Sequence, residues 1–241
     1  MAMVMRYMGM GMHMSMDSAT LYRLMAWLSP SYPVGAFSYS HGIEWLVETG
    51  AIHDKDSLSS WLQDLLLLSS GRNDAILFCA AHDAAGLHDL EQLGVIADTA
   101  LAFAASAERH LETGAQGQAF ADVTRRAWTS PTLDALALIY GEPLAYPVAV
   151  GIACADHGVA RAPALRAYLH GFAANLVSAG VRLVPLGHSD GQRVMKSLEG
   201  VVEDTAILGE SHDLSGLAGI TIMADIASMQ HETQYTRLFR S

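Results

Sequence analysis

Four residues of this sequence have the spacing of metal ligands. Cys79 and His82 form one C-x-x-H pair, and Cys154 and His157 form a second. On a helix, residues three apart share a face, so each pair offers a thiolate and an imidazole to one point. Two such helices side by side would supply the four N/S ligands of a tetrahedral zinc site. Both cysteines, however, sit in Ala-rich apolar stretches, where a small buried Cys is ordinary core material. Each motif is only two residues deep. The core reading therefore comes first, and a helical metal-binding protein or enzyme built on these four residues is its alternative.

Other chemistry finds no purchase. No GxxxxGK[ST] loop is present, so the chain is not expected to bind and hydrolyse a nucleotide itself. Gly9-Met10-Gly11 is a GxG fragment without a strand before it or a third glycine. Ser38 and Ser40 lie in Gly-Ala-Phe-Ser-Tyr-Ser-His-Gly, which lacks the GxSxG spacing of a nucleophile elbow. His41 adjoins Ser40, but neighbours on a helix point in different directions. The remaining histidines show no HExxH. Glu108/Glu112 and Glu199/Glu203 are four apart, with Arg109 and Lys196 nearby, and read as solvated helix faces. No catalytic residue is assigned, and the expectation is a protein that binds other proteins rather than an enzyme.

The elements that carry these residues are read as helices. Leu21, Leu24, Met25 and Leu28 fall on one face behind a Ser18 cap, and Pro30 stops that helix. Residues 29–37 hold Pro30, Pro33 and Gly35 among aromatics and read as a structured loop. A second helix runs from about Ser40 to Gly50. A third carries Leu58, Trp61, Leu62, Leu65 and Leu66 and stops near Gly71. Pro147 suits the first turn of a helix ending at Gly158; Pro163 opens another, with Leu165, Leu169, Phe172 and Leu176 on one stripe and Gly180 just past its end. Ile222, Met223, Ile226 and Met229 give the last apolar face. The brief alternation over Gly180 to Pro185 has no partner strand to pair with. Gly114, Gly117 and Gly151 sit inside helical patterns at a cost of up to ~1 kcal/mol each. They mark close backbone approach or, for Gly114 and Gly117, a short loop. The fold class is all-α, in one multi-helix domain.

Composition bounds the partners. Of 241 residues, 51% are apolar and only 16% charged, so a large core is available and disorder is excluded. The longest near-apolar stretch, Tyr146 to Ala155, is about half the ~20 residues a bilayer span needs, so no membrane is expected. A net charge of −11 without a Lys/Arg cluster argues against nucleic acid. The apolar surplus that a core does not absorb suits an association surface. Two cysteines make no disulfide framework and fit a reducing, cytoplasmic setting. Eight of the twelve methionines lie in the first sixteen residues around Arg6 and His13. Thioethers suit Cu(I), but the simpler reading of residues 1–17 is a flexible extension outside the core. No continuous apolar run or small-residue cleavage site marks it as a signal peptide.

Three segments exceed what composition explains. The first runs Leu28-Ser-Pro-Ser-Tyr-Pro-Val-Gly-Ala-Phe-Ser-Tyr-Ser-His-Gly-Ile-Glu44, a rigid aromatic loop feeding a helix with Glu44 in its first turn. The helix dipole favours a carboxylate there, which is a sufficient structural reason for it. The second, Gly180-Val-Arg-Leu-Val-Pro-Leu-Gly-His-Ser-Asp-Gly-Gln192, has the single cation Arg182 in an apolar setting, suited to a surface ion pair. The third, His231-Glu-Thr-Gln-Tyr-Thr-Arg-Leu-Phe-Arg-Ser241, alternates aromatic and basic residues in the manner of interface anchors.

Taken together, the three segments resemble the urease accessory protein family UreF. The first is similar to its Pro-x-Gly-x-Phe-x-x-Ser-x-Gly-Leu-Glu signature, carried here by Pro33, Gly35, Phe37, Ser40 and Gly42, with Ile43 in place of leucine. The second is similar to its Gly-Val-(Lys/Arg)-Leu-Val-Pro-x-Gly-Gln segment, with His188 in place of glutamine. The third resembles the family's closing sequence almost residue for residue. The likeness covers about Leu21 to Ser241.

That resemblance implies an all-helical, homodimeric chaperone that bridges UreD (UreH in some species) to the GTPase UreG while nickel is loaded into apo-urease. Nickel and GTP would be handled by the partner complex, with no cofactor bound stably here. By the same resemblance, Glu44 and Arg182 fall at positions that govern the GTPase and the fidelity of activation. Tyr235, Arg237, Leu238, Phe239 and Arg240 fall in the tail that docks on UreD. The implied organisation is an extension (1–17), a helical domain (18–230) and a docking tail (231–241).

Overall fold

A computed structural model describes residues 17–219 and 221–240. The Met-rich extension, apart from its last residue, lies outside the described residues. Twelve α-helices follow in order: α1 (Ser18–Trp27), α2 (Ile43–Glu48), α3 (Lys55–Leu68), α4 (Ser70–Gly86), α5 (Leu90–Ala102), α6 (Ala107–Ala127), α7 (Pro131–Ile139), α8 (Tyr146–Asp156), α9 (Arg161–Leu183), α10 (His188–Ser197), α11 (Glu199–Ser211) and α12 (Ile222–His231). Short 3-10 turns occupy Ala36–Ser38 and Leu214–Gly216, and no strand occurs among the described residues. The fold is all-α, and no helix is long and apolar enough to cross a membrane among those residues.

Helix starts follow local chemistry. Asp17, not Ser18, caps α1 through the Thr20 amide, and Asp54 with Ser57 forms a capping box at α3. The Asp156 carboxylate at the end of α8 accepts from the Thr132 amide and hydroxyl and from Ser130, which fixes the start of α7.

Helix α8 is apolar on every side and lies at the centre, with residues 147–154 buried against α4, α6, α7 and α9. Such a helix needs neighbours close on all faces, and glycines supply the room. A Cβ on Gly117 of α6 would sit 1.9 Å from the Leu144 carbonyl oxygen. One on Gly151 would sit 2.7 Å from the Phe78 carbonyl of α4. Close approach is thus the reason for these two, and Gly114 and Gly117 are inside a helix rather than a loop.

Several expectations from periodicity are corrected by packing. Leu21 and Met25 are exposed, and α1 instead buries Thr20, Leu24 and Trp27, the last edge-on to Phe120 and Trp128. Gly71 begins α4 rather than ending α3, because the chain bends at Ser69 and continues helically. Helix α9 runs through Gly180 to Leu183; that glycine faces the Leu58 side chain, where a Cβ would meet a carbon at 2.5 Å. The apolar face of α12 points outward: Ile222, Met223, Ile226 and Met229 are exposed, while Ala224, Ala227, Ser228 and His231 are buried. Where the middle of α12 passes Gly42 and α6, alanine and serine are the buried residues, and the larger His231 is buried only at the helix end.

Candidate functional site

The loop before α2 turns sharply because two consecutive residues, His41 and Gly42, adopt positive φ (55° and 74°). Only glycine also allows the contact made there, since a Cβ on Gly42 would lie 2.9 Å from the Ala227 carbonyl carbon and the Ser228 nitrogen of α12. The turn aims α2 so that Glu44, in its first turn, is buried at 6% exposure. A carboxylate here is favoured by the helix N-terminus, but its partners come from the far end of the chain.

Glu44 Oε1 accepts the Leu238 amide at 2.7 Å, and Oε2 accepts the Phe239 amide at 3.0 Å. Oε2 also meets His231 Nε2 at 3.1 Å. His231 ends α12 with no exposed surface, and its Nδ1 is 2.7 Å from Glu108 Oε2. Glu108 Oε1 in turn accepts from Arg237 Nη1 at 2.8 Å. A ring carrying both protons donates to both carboxylates; a ring carrying one leaves a carboxylate oxygen facing a lone pair. With both protons in place, two carboxylates are balanced by the imidazolium and the guanidinium, as buried charges require.

The tail is held from the other side as well. The Arg240 amide donates to the Ser38 carbonyl at 2.7 Å. Arg182 donates from Nη2 to the Phe37 carbonyl at 3.0 Å and from Nε to the Ser178 carbonyl at 3.2 Å. Its guanidinium lies 4.5 Å from the centroid of the Phe239 ring, a cation–π contact. Phe239 is therefore a buried plug. Tyr235, Leu238 and Phe37 point the other way and are 102%, 78% and 67% exposed.

The three sequence segments thus converge on one place. Glu44, Phe37 and the signature turn, Arg182, and the tail residues Arg237 to Arg240 form a single assembly. Pro33 and Gly35 shape the loop around it, and Ser40 is fully buried with its Oγ 3.4 Å from the Glu44 amide. Arg182 forms a carbonyl and cation–π anchor in place of the expected ion pair. Glu108 and Glu112, expected on a solvated face, are both buried and charge-paired. Glu199 and Glu203 are exposed as expected. Sequence alone gives His231 no role of its own and places Glu108 on a solvated face. The histidine lies in the quoted tail, whereas Glu108 gives no signal, because its i+4 partner made it look like surface.

The two C-x-x-H pairs do not combine. His82 Nε2 contacts the Val159 carbonyl at 2.9 Å, and His157 Nε2 contacts the Thr129 carbonyl at 2.8 Å. Cys79 and Cys154 are buried free thiols, both pushed up to about 12 by burial, and such thiols are poor thiolate donors. Among the described residues no three His, Cys, Asp or Glu side chains are placed to hold a metal ion. What the assembly around Glu44 can do is fix the shape of a C-terminal strap and present its outer side chains.

The UreF family model matches residues 52–199. The chain is 50% identical over 226 residues to the urease accessory protein UreF of Bradyrhizobium sp. (strain BTAi1 / ATCC BAA-1182), covering 94% of each chain. It is 49% identical over 225 residues to the protein of that name from Rhodopseudomonas palustris (strain TIE-1), covering 93% of this chain and 94% of the relative. Matched by the family model over more than half its length and by such relatives along nearly all of it, this chain belongs to the UreF family of urease accessory proteins.

Proposed function

We propose that this member of the family, whose role lies in urease maturation, is a non-catalytic scaffold. It bridges a UreD (UreH) protein and the GTPase UreG in the cytoplasm, and couples GTP hydrolysis to the delivery of nickel, the cargo, into apo-urease. The observation that carries this reading is the C-terminal strap. Glu44, Ser38 and Arg182 hold its backbone and Phe239, so that Tyr235, Leu238 and the neighbouring Phe37 stand outward in a fixed arrangement. Rigid aromatic and apolar anchors with basic neighbours are what protein–protein hot spots are made of. Ordering them in advance lowers the entropic cost of binding.

The tail is the UreD-facing element in this reading, and Glu44 and Arg182 act on partner binding by setting its shape. The outward Ile222, Met223, Ile226 and Met229 of α12 and Tyr22 and Met25 of α1 supply apolar surface for homodimerisation and partner contact. The test is light scattering on a sizing column, with the purified protein alone and mixed with its UreD and UreG counterparts. The expected results are a dimer, a complex containing both partners, and loss of UreD when residues 231–241 are removed. A full-length protein that binds neither partner sinks the scaffold reading.

A further inference from the structure

Behind the signature loop lies a cavity of about 320 Å³, within the size range of small-molecule sites. It is bounded by that loop and by α4, α6, α8 and α9. Much of its wall is aromatic: Tyr32, Phe37, Tyr146, Tyr168 and Phe172. Three charged side chains also border it, Asp74, Arg109 and Glu112. Their pairing is unequal. Arg109 is 2.5 Å from Glu112, and these two neutralise each other. Asp74 accepts the Tyr168 hydroxyl at 2.7 Å, but among the described residues no cationic side chain forms an ion pair with it. Burial pushes the Asp74 carboxyl up to about 6, with the nearby Arg109 pulling in the opposite direction, so above that pH two carboxylates and one guanidinium leave the cavity wall with a net negative charge.

A second polar group there lacks a partner. His41 Nδ1 lies 2.8 Å from Arg109 Nη1, which can only donate, and 3.0 Å from Glu112 Oε1, which can only accept, so a neutral ring can carry its proton on either nitrogen. Burial, assisted by Arg109, lowers the His41 pKa and keeps the ring neutral. Nε2 is buried and has no hydrogen-bond partner, although His41 borders the cavity. A buried ring nitrogen without a partner and a partly buried carboxylate without a directly paired cation are both unfavourable, and a ligand can satisfy both at once.

We propose that this cavity is a binding site for a small amphiphilic amine that also carries a hydroxyl group. Its ammonium pairs with Asp74, its hydroxyl meets His41 Nε2, donating or accepting as the ring tautomer requires, and its apolar body lies against the aromatic wall. Ammonium groups are favoured both by the carboxylate and by the faces of tyrosine and phenylalanine rings. A metal ion fits the cavity less well, because the described residues include no cluster of three ligating side chains. The proposal does not require the scaffold reading: Phe37 borders both places, but the hydrogen bonds and ion pairs of Asp74 and His41 are made away from the tail.

Three related probes test it: 2-amino-1-phenylethanol, 2-phenylethylamine without the oxygen, and 1-phenylethanol without the amine. Binding to the full chain is followed by calorimetry and ligand-observed NMR. We expect saturable binding of the first, severalfold weaker binding of the second, and binding of the third weaker by about tenfold or more. Asp74→Asn should weaken the first probe by about tenfold or more without changing the size of the protein on a sizing column. Ala174→Met, which fills the cavity and leaves its charges intact, should also abolish binding and serves where Asp74→Asn does not fold. Equal affinity for all three probes, undiminished binding by either folded variant, or no binding of the first probe up to about 10 mM overturns the proposal.

Discussion

Glu44→Gln isolates the central claim about the tail, that one buried carboxylate holds its backbone. The wild-type side chain accepts two amides, from Leu238 and Phe239, and faces His231 Nε2. Glutamine keeps one oxygen, which can serve one of the three donors as a neutral acceptor. Its NH2 group then meets a donor instead of complementing it. Two charge-assisted hydrogen bonds are lost, at about 1.5–3 kcal/mol each before local relaxation. A loss of roughly 3 kcal/mol corresponds to about a 150-fold change in the equilibrium between held and released tail. Because the strap opens separately from the helical core, the global unfolding midpoint should move little while local opening rises. Hydrogen exchange followed by NMR should show the Leu238 and Phe239 amides losing protection by up to that factor. Amides of α8 should be unaffected. Unchanged protection of residues 238 and 239 in a folded Glu44→Gln protein would refute the anchor.

Other outcomes follow from single side chains. Gly117→Ala should lower stability in urea by more than about 3 kcal/mol, since its Cβ would sit 1.9 Å from backbone that cannot rotate away; a loss under about 1 kcal/mol means that α6 and the chain entering α8 are farther apart. Asp74 has its carboxyl raised from 3.8 to about 6, so the folded state binds its proton more readily than the unfolded chain, and stability falls as pH rises through that interval. That difference is worth roughly 3 kcal/mol, so Asp74→Asn should be stabilised relative to wild type more at pH 7.5 than at pH 4, measured by urea titration at both; no pH-dependent difference refutes the assignment. Tyr235→Ala should leave stability within about 0.5 kcal/mol, because the side chain is fully exposed, while weakening calorimetric affinity for the UreD counterpart by about tenfold or more; equal affinity removes Tyr235 from the docking surface.

The tail assembly was only half legible in the linear chain. The signature turn, Arg182 and the closing sequence each stood out because a run of special residues, such as prolines, glycines or aromatics among cations, is improbable by composition. Helix type and order were readable for a related reason: caps, prolines and apolar spacing act within a turn or two of chain. Sequence spacing did not say that Glu44 would reach residues almost two hundred positions away, nor that Glu108 would turn inward to His231 and Arg237. A carboxylate on a helix looks the same in sequence whether it meets water or a buried imidazole. The direction of α12 was equally hidden. Its four large apolar residues mark a face, but the tight approach of α12 to Gly42 and α6 admits only alanine and serine, which sends that face outward. Local preference is written in neighbours along the chain and is decided there. Burial and charge pairing depend on which distant surfaces come together, and only the packed tertiary structure decides that.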